Sequence, residues 1–194
     1  MHRLTAFAFL VVAALSTLAS PAAADPAIKV TPTQGTALSE KEDKEVRKAL
    51  LGYLDALKAR DFAKAGEMLE RESLITATGP LVSAVAADSL SALVVRKKIF
   101  GVSTQDSLLK RTNGQLFTSL MGYLLELSPG AGQILENAEI EVLAARKMGD
   151  KVHIAYQLTL PTAGEGGMPF TQVTAQQMRK VDGKWRILFR LEGS

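Results

Sequence analysis

The chain has 194 residues, with 23 Lys and Arg against 20 Asp and Glu, a formal charge of +3 and no cysteine. The absence of thiols excludes disulfide frameworks, thiolate zinc sites and thiol catalysis. A charge this small and this evenly spread argues against nucleic acid as a partner.

The first residues, Met1-His2-Arg3, carry one firm positive charge, and an apolar run follows from Leu4 to Leu18. Ala22-Ala23-Ala24 then places small residues at the two positions read by signal peptidase, so residues 1–24 read as an export signal cut after Ala24. The run is shorter than the ~20 apolar residues of a bilayer span. No integral membrane segment is therefore expected after cleavage, and the expected location is the periplasm or the exterior. Cleavage removes Arg3 and leaves 170 residues at about +2, the size of one domain. A chain of that size can bury enough surface to fold without disulfide staples.

Residues 25–38 contain Pro26, Pro32 and Gly35 without apolar periodicity and read as a flexible leader. The domain is expected over 39–194. Ser39-Glu40-Lys41-Glu42 is a capping box, and Val46, Leu50, Tyr53, Leu54 and Leu57 recur at helical spacing behind it, predicting a helix to about Ala59. Asp61 reads as the N-cap of a short second helix with Phe62, Ala65, Met68 and Leu69 inward. Residues 72–80 are expected to be irregular. A helical stretch from about Leu81 or Asp88 to Phe100 stops at Gly101. It carries the densest basic cluster, Arg96-Lys97-Lys98, which fits a solvated helix end. Ser103-Thr104-Gln105-Asp106 is expected to cap the next turn and Asn113-Gly114 to interrupt it. Gln115 to Leu127 forms a core helix with Leu116, Leu120, Met121 and Leu124 on one side, ended by Ser128-Pro129-Gly130.

From about Ile134 the pattern turns to alternation, predicting strands at 136–148, 151–160, 170–181 and 184–192. Gly149-Asp150 and Asp182-Gly183 are two-residue hairpin signals, while Pro161 to Pro169, with three glycines, forms a long connection. Helices followed by an antiparallel meander give an α+β class, with helices on one face of a curved sheet.

Tyr53, Ala56, Leu57, Arg60, Asp61, Ala65, Met68 and Leu69, together with the closing hairpin Asp182-Gly183-Lys184-Trp185-Arg186-Ile187, resemble the nuclear transport factor 2-like (cystatin-like cone) superfamily. The resemblance covers roughly 40–72 and 134–192; residues 73–133 depart from it in looking longer and more helical. It implies a cone whose sheet and helices enclose a cavity. Members of that superfamily include isomerases, dehydratases, hydrolases and non-catalytic binding or dimerising domains, so fold alone does not give function.

The turn at Asp182-Gly183 pairs Val181 with Lys184, so Met178 faces Ile187, Gln176 faces Phe189 and Thr174 faces Leu191. Trp185 shares that apolar face. Gln176 and Thr174 would then be polar groups turned to the core, costing ~1–3 kcal/mol each if unpaired. With Trp185 and Tyr156 they are the expected ligand-binding set, for a small apolar ligand. Arg179, Arg186 and Arg190 lie on the opposite face. Arg179 and Arg186 are directly opposed, a pairing that an acid between them would relieve, so this is the expected anion or partner surface.

His153 is the one histidine left after cleavage; it cannot build a multi-histidine metal centre, and Arg146 is expected opposite it. Glu139 and Glu141 run in step with Leu143. If that face turns inward, Glu141 is the candidate buried carboxylate; both faces of strands 136–160 carry apolar residues, so the inward face stays open. The resemblance implies an Asp, Glu or His inside the cone for an enzyme, which makes Glu141, His153 and Tyr53 the catalytic candidates. No G-x-S-x-G, Walker loop, H-E-x-x-H or calcium loop is present. The expectation is an exported, non-catalytic binding or interaction domain without cofactor or metal. A homodimer through the sheet's outer face fits it. The alternatives are a small-molecule isomerase, dehydratase or hydrolase, and a structural dimer of the cell envelope.

Overall fold

The computed structural model describes residues 35–77, 93, 97–127, 131–160 and 170–189. The expected export signal and most of the leader, residues 81–92 and 94–96 of the expected middle helix, Ser128-Pro129-Gly130, the 161–169 connection and Arg190 lie outside them. The architecture is α+β. Helices α1 (Glu40–Lys58), α2 (Phe62–Glu67), α3 (residues 71–77), α4 (Gln105–Leu109), α5 (Asn113–Leu127) and α6 (Ala131–Glu136) precede four strands. Strands β1 (Glu139–Met148), β2 (Lys151–Leu160), β3 (Phe170–Val181) and β4 (Lys184–Ile187) form one antiparallel sheet in chain order.

The capping box forms as expected. The Ser39 hydroxyl accepts from the Glu42 N–H at 3.3 Å, and the Glu42 carboxylate accepts from the Ser39 N–H at 3.4 Å. Val46, Leu50, Tyr53, Leu54 and Leu57 are all buried. Arg60, at φ 55, turns the chain, and Asp61 caps α2 by accepting from the Lys64 N–H at 3.0 Å. Gly101, at φ +62, ends the helical residues 97–100, and Thr104 caps α4.

Four local expectations are corrected. Residues 71–77 are helical, not irregular. Their cap is Glu70, whose carboxylate accepts from the Ser73 N–H at 2.8 Å; glutamate is not among the favoured cap residues, so the start is hidden in the sequence. Asn113-Gly114 opens α5 rather than interrupting it. Thr112 and Gln115 form a second reciprocal box, N–H to side chain at 3.0 and 3.2 Å, and Gly114 lets α5 lie against α2. Residues 131–136 are helical, so β1 starts at Glu139; six residues make fewer than two turns and show no period. Finally, β4 ends at Ile187: the Leu188 N–H still donates to the Gln177 carbonyl at 2.9 Å, but the Leu188 carbonyl accepts from the Gln176 side chain at 2.8 Å, and the Phe189 N–H, on the side away from β3, goes to the Ser73 hydroxyl at 2.9 Å.

The end of the leader is also tied down. Thr36 and Lys147 exchange both backbone hydrogen bonds at 3.0 and 2.9 Å, and Leu38 packs on the core. Gly35, at φ +98, sits where a Cβ would come within 2.7 Å of the Lys147 carbonyl.

Both hairpins keep the expected register. Val181 pairs with Lys184 and Arg146 with His153. Asp182 and Gly183 both have positive φ, at 49 and 76, as a type I′ turn requires. Residues 68–70 add a short parallel bridge to the β4 edge, with Glu70 N–H to Ile187 O at 2.8 Å and Ile187 N–H to Met68 O at 3.0 Å. The core lies between the helices and one sheet face, where Leu50, Leu69, Phe117, Leu120, Ile154, Met178 and Ile187 are all almost fully buried.

The contact between α2 and α5 is set by two glycines. A Cβ on Gly66 would lie 2.6 Å from the Asn113 carbonyl and 2.8 Å from the Phe117 Cβ, whereas one on Gly122, on the exposed side of α5, meets nothing within 4 Å. Gly66→Ala will therefore destabilise the domain by about 1–3 kcal/mol, and Gly122→Ala will stabilise it by about 1 kcal/mol. Urea unfolding midpoints of the two variants check both signs.

Candidate functional site

Strand β2 sorts the candidate residues. Val152, Ile154, Tyr156, Leu158 and Leu160 are buried against the helices, while Lys151, His153, Ala155, Gln157 and Thr159 occupy the other face. Cross-strand partners share a face, so the β1 and β3 side chains follow. Ile140 and Val142 of β1 turn inward, and a bulge at Leu143 shifts the count so that Ala145, opposite Ile154, is inward too.

The inner polar set is Tyr53, Tyr156, Thr174 and Gln176. Tyr156 and Thr174 are cross-strand partners and are hydrogen-bonded through their side chains. Tyr53 reaches in from α1, its ring 6.4 Å from that of Phe117. Burial pushes both phenols above their ordinary value, in Tyr156 against the lowering effect of the Thr174 hydrogen bond. Both therefore stay protonated at neutral pH. Gln176, half-buried, donates to the Leu188 carbonyl at 2.8 Å and the Gln177 carbonyl at 3.3 Å. The fold thus supplies partners for the two polar groups expected to need a ligand. Trp185 is half-buried beside the core, and its indole N–H donates to Glu45 at 3.2 Å, with the Lys180 ammonium 5.5 Å from the ring centroid. Hydrogen bonds from Lys180 and Trp185 hold the Glu45 carboxyl below its usual range.

The three catalytic candidates do not come together. Glu141 is exposed, on the outer face opposite Gln157, and is not the buried carboxylate expected of an inward strand face. The Val142 side chain takes the inward position instead. His153 is half-buried on the same outer face, between Arg146 and Gln177. Tyr53 lies on the far side of the sheet, 2% exposed. Among the described residues, no group of three His, Asp or Glu is arranged to hold a metal ion.

Arg179 and Arg186 are opposed as expected, and the chain itself provides an acid for one and a carbonyl for the other. The Glu70 carboxylate pairs with Arg179, with Glu72 and Asp150 each 3.7 Å away, while Arg186 donates to the Glu67 carbonyl. Burial works to raise the Glu70 pKa, but the Ser73 N–H and the Arg179 guanidinium outweigh it and hold the carboxyl below its usual range. Beside this pair an open groove of about 620 Å³ runs between α3 and the end of β3, lined by Glu72, Ile75, Thr76 and Val181. Glu70 escaped the sequence reading because it follows Leu69 with no signal beyond its charge.

The outer face has a third feature that the candidate list missed. Ala144 pairs with Ala155, and Ala155 with Ala175, so three alanines form a row across β1, β2 and β3. Leu143, in the bulge beside that row, is 38% exposed. On one side of the row stand Arg146, His153 and Gln177; on the other stand Glu141, Gln157 and Val173.

No protein-family model matches the chain, and no curated protein matches it. Among solved structures, the chain is similar to the iota-carbonic anhydrase from a cyanobacterium, solved in complex with bicarbonate. The two are 18% identical over 82% of this chain and 93% of that one, with a TM-score of 0.33.

The Glu70 ion pair makes stability depend on pH. A carboxyl whose folded pKa is lowered contributes stability that is full above its unfolded value and is lost as pH falls through the folded value. Glu70→Gln will cost about 1–3 kcal/mol at pH 7 and will flatten the loss of stability on acidification. Urea titrations of wild type and variant between pH 7 and pH 3 measure both effects; parallel pH curves would assign the acid loss to other carboxylates.

Proposed function

We propose that this chain is an exported, non-catalytic interaction domain of the nuclear transport factor 2-like kind, and that its working surface is the outer face of the sheet. The observation that carries the reading is the alanine row. A strip of small side chains at the centre of the sheet's outer face lets another surface approach closely, and mixed polar groups on either side give such a contact direction. The polar groups beneath the sheet favour a structural role, because Tyr156 and Thr174 satisfy each other and Gln176 is satisfied by backbone carbonyls. Glu141 and His153 lie across the sheet from Tyr53, which weighs against a shared catalytic pocket. Among the described residues no helix is long and apolar enough to cross a membrane.

Export rests on the first 24 residues and has its own test. Protein recovered from the host will begin at Asp25, as read by N-terminal sequencing or intact mass. The interaction reading is tested by rescue of a strain lacking the chain. Ala155→Arg, which places a long charge on the open face, will fold normally by circular dichroism and fail to rescue, while Tyr53→Phe will rescue. Full rescue by Ala155→Arg, or loss of rescue by a folded Tyr53→Phe, would overturn the proposal in favour of work done inside the core.

A further inference from the structure

We infer that Asn113-Gly114 is a latent modification site. The contacts of α5 with α2 and with Arg71 hold it unreactive in the folded chain, and it converts to a succinimide and then to isoaspartate once the first turn of α5 opens.

The chain has two asparagines, Asn113 followed by glycine and Asn137 followed by alanine. An asparagine can close a ring onto the backbone nitrogen of the next residue. A side chain on that residue hinders the closure, and glycine has none. The fold requires the reactive pair for two separate reasons. A Cβ at Gly114 would lie 2.7 Å from the Ala63 carbonyl and would wedge α5 away from α2. The Asn113 carboxamide must both donate, to the Leu69 carbonyl at 3.0 Å, and accept, from the Arg71 guanidinium at 3.0 Å. An ionised aspartate could only accept.

In the reaction the Gly114 nitrogen loses its proton and bonds to the Asn113 Cγ. The Cγ–Nδ2 bond breaks, and Nδ2 takes up a proton and leaves as ammonia. Water then opens the ring. Opening at Cγ gives aspartate; opening at the backbone carbonyl gives isoaspartate, in which the main chain runs through the former side chain. Nothing is oxidised or reduced.

The folded chain opposes the first of these steps. The helical backbone of α5 turns the Gly114 nitrogen away from Cγ. The carboxamide is pinned at both its atoms, and the Gly114 N–H is held by the Glu67 carboxylate at 2.9 Å. A carboxylate is far too weak a base to take an amide proton, so this bond fixes the nitrogen and does not activate it. Gly114 itself is buried. The product cannot rebuild the contact. Isoaspartate lengthens the main chain in the first turn of α5 and replaces the donor to Leu69 with a carboxylate. Leu69 lies in the stretch that bridges β4, so the damage reaches the edge of the sheet.

Peptide mapping by mass spectrometry, after incubation of the mature chain at pH 8, tests the inference. Asn137, exposed and followed by Ala138, is the internal reference. In urea Asn113 will be lost about tenfold faster than Asn137, and folding will slow its loss by about tenfold or more. Glu67→Ala and Arg71→Met will each remove most of that protection and leave Asn137 unchanged. Val152→Ala, a core truncation away from the contact, will lower the urea midpoint without speeding the loss of Asn113. The fluorescence of Trp185, the one tryptophan, will confirm that each variant is folded, and isoaspartyl chains will fail to regain it on dilution from urea. Equal loss of the two asparagines in urea overturns the site. Equal loss of Asn113 folded and unfolded, or no acceleration in either contact variant, overturns the lock. Acceleration by Val152→Ala to the same extent overturns it in favour of global unfolding, and full refolding of isoaspartyl chains overturns the irreversible step.

Discussion

The arrangement depends on the two-sidedness of β2. A strand sends alternate side chains to opposite faces, and shifting its register by one residue would exchange the two sets. In β2 the apolar set from Val152 to Leu160 is buried throughout, so the other set must face outward. Partner strands inherit the choice through their registers. That single constraint puts Tyr156 with Tyr53 under the helices, and His153 with Glu141 on the far side of the sheet. It also keeps the middle of the outer face small, because Ala155 meets an alanine on each neighbouring strand.

Glu70 links the remaining pieces. It closes the short stretch that bridges β4, caps α3 through the Ser73 N–H, and pairs with Arg179. Two arginines side by side on adjacent strands repel one another. Here one is matched by a nearly buried carboxylate and the other by a backbone carbonyl, so the arrangement is satisfied within the chain. The same residue couples the helical layer to the last hairpin. Removing the acid would leave a crowded cation and an uncapped helix together, which is costlier than either alone.

Much of this was legible wherever local chemistry decides local structure. Ser39 with Glu42, the Asp61 cap, Gly101 and the two hairpin turns each specify a conformation through their own atoms, and the α+β class follows from the change of period. Legibility failed where a distant partner decides. Glu70 caps α3 because β4 and Arg179 hold it there, and Gly114 belongs to a helix because α2 needs the space. The position of Glu141 depended on the inward face, which apolar residues on both sides of the strand left open. The alanine row was half visible. The Gly149-Asp150 turn alone sets Ala144 against Ala155, but Ala175 joins them through the β2–β3 register, and the nine residues between those strands carry no rule for it.

The edges of the sheet bear on whether another strand could add to it. An open edge invites pairing with another strand. On β1, Arg47 donates to the Val142 carbonyl at 3.1 Å, Lys58 to the Ala138 carbonyl at 2.7 Å, and Thr36 covers Lys147. The bulge at Leu143 breaks the ladder between them. On β4, residues 68–70 take the edge. Both sides are thus occupied by the chain's own groups, which disfavours open-ended growth by strand addition. On the outer face, too, Arg179 and Arg186 are bonded to Glu70 and the Glu67 carbonyl, so the chain's own groups satisfy the sheet at its basic end as well as at its edges.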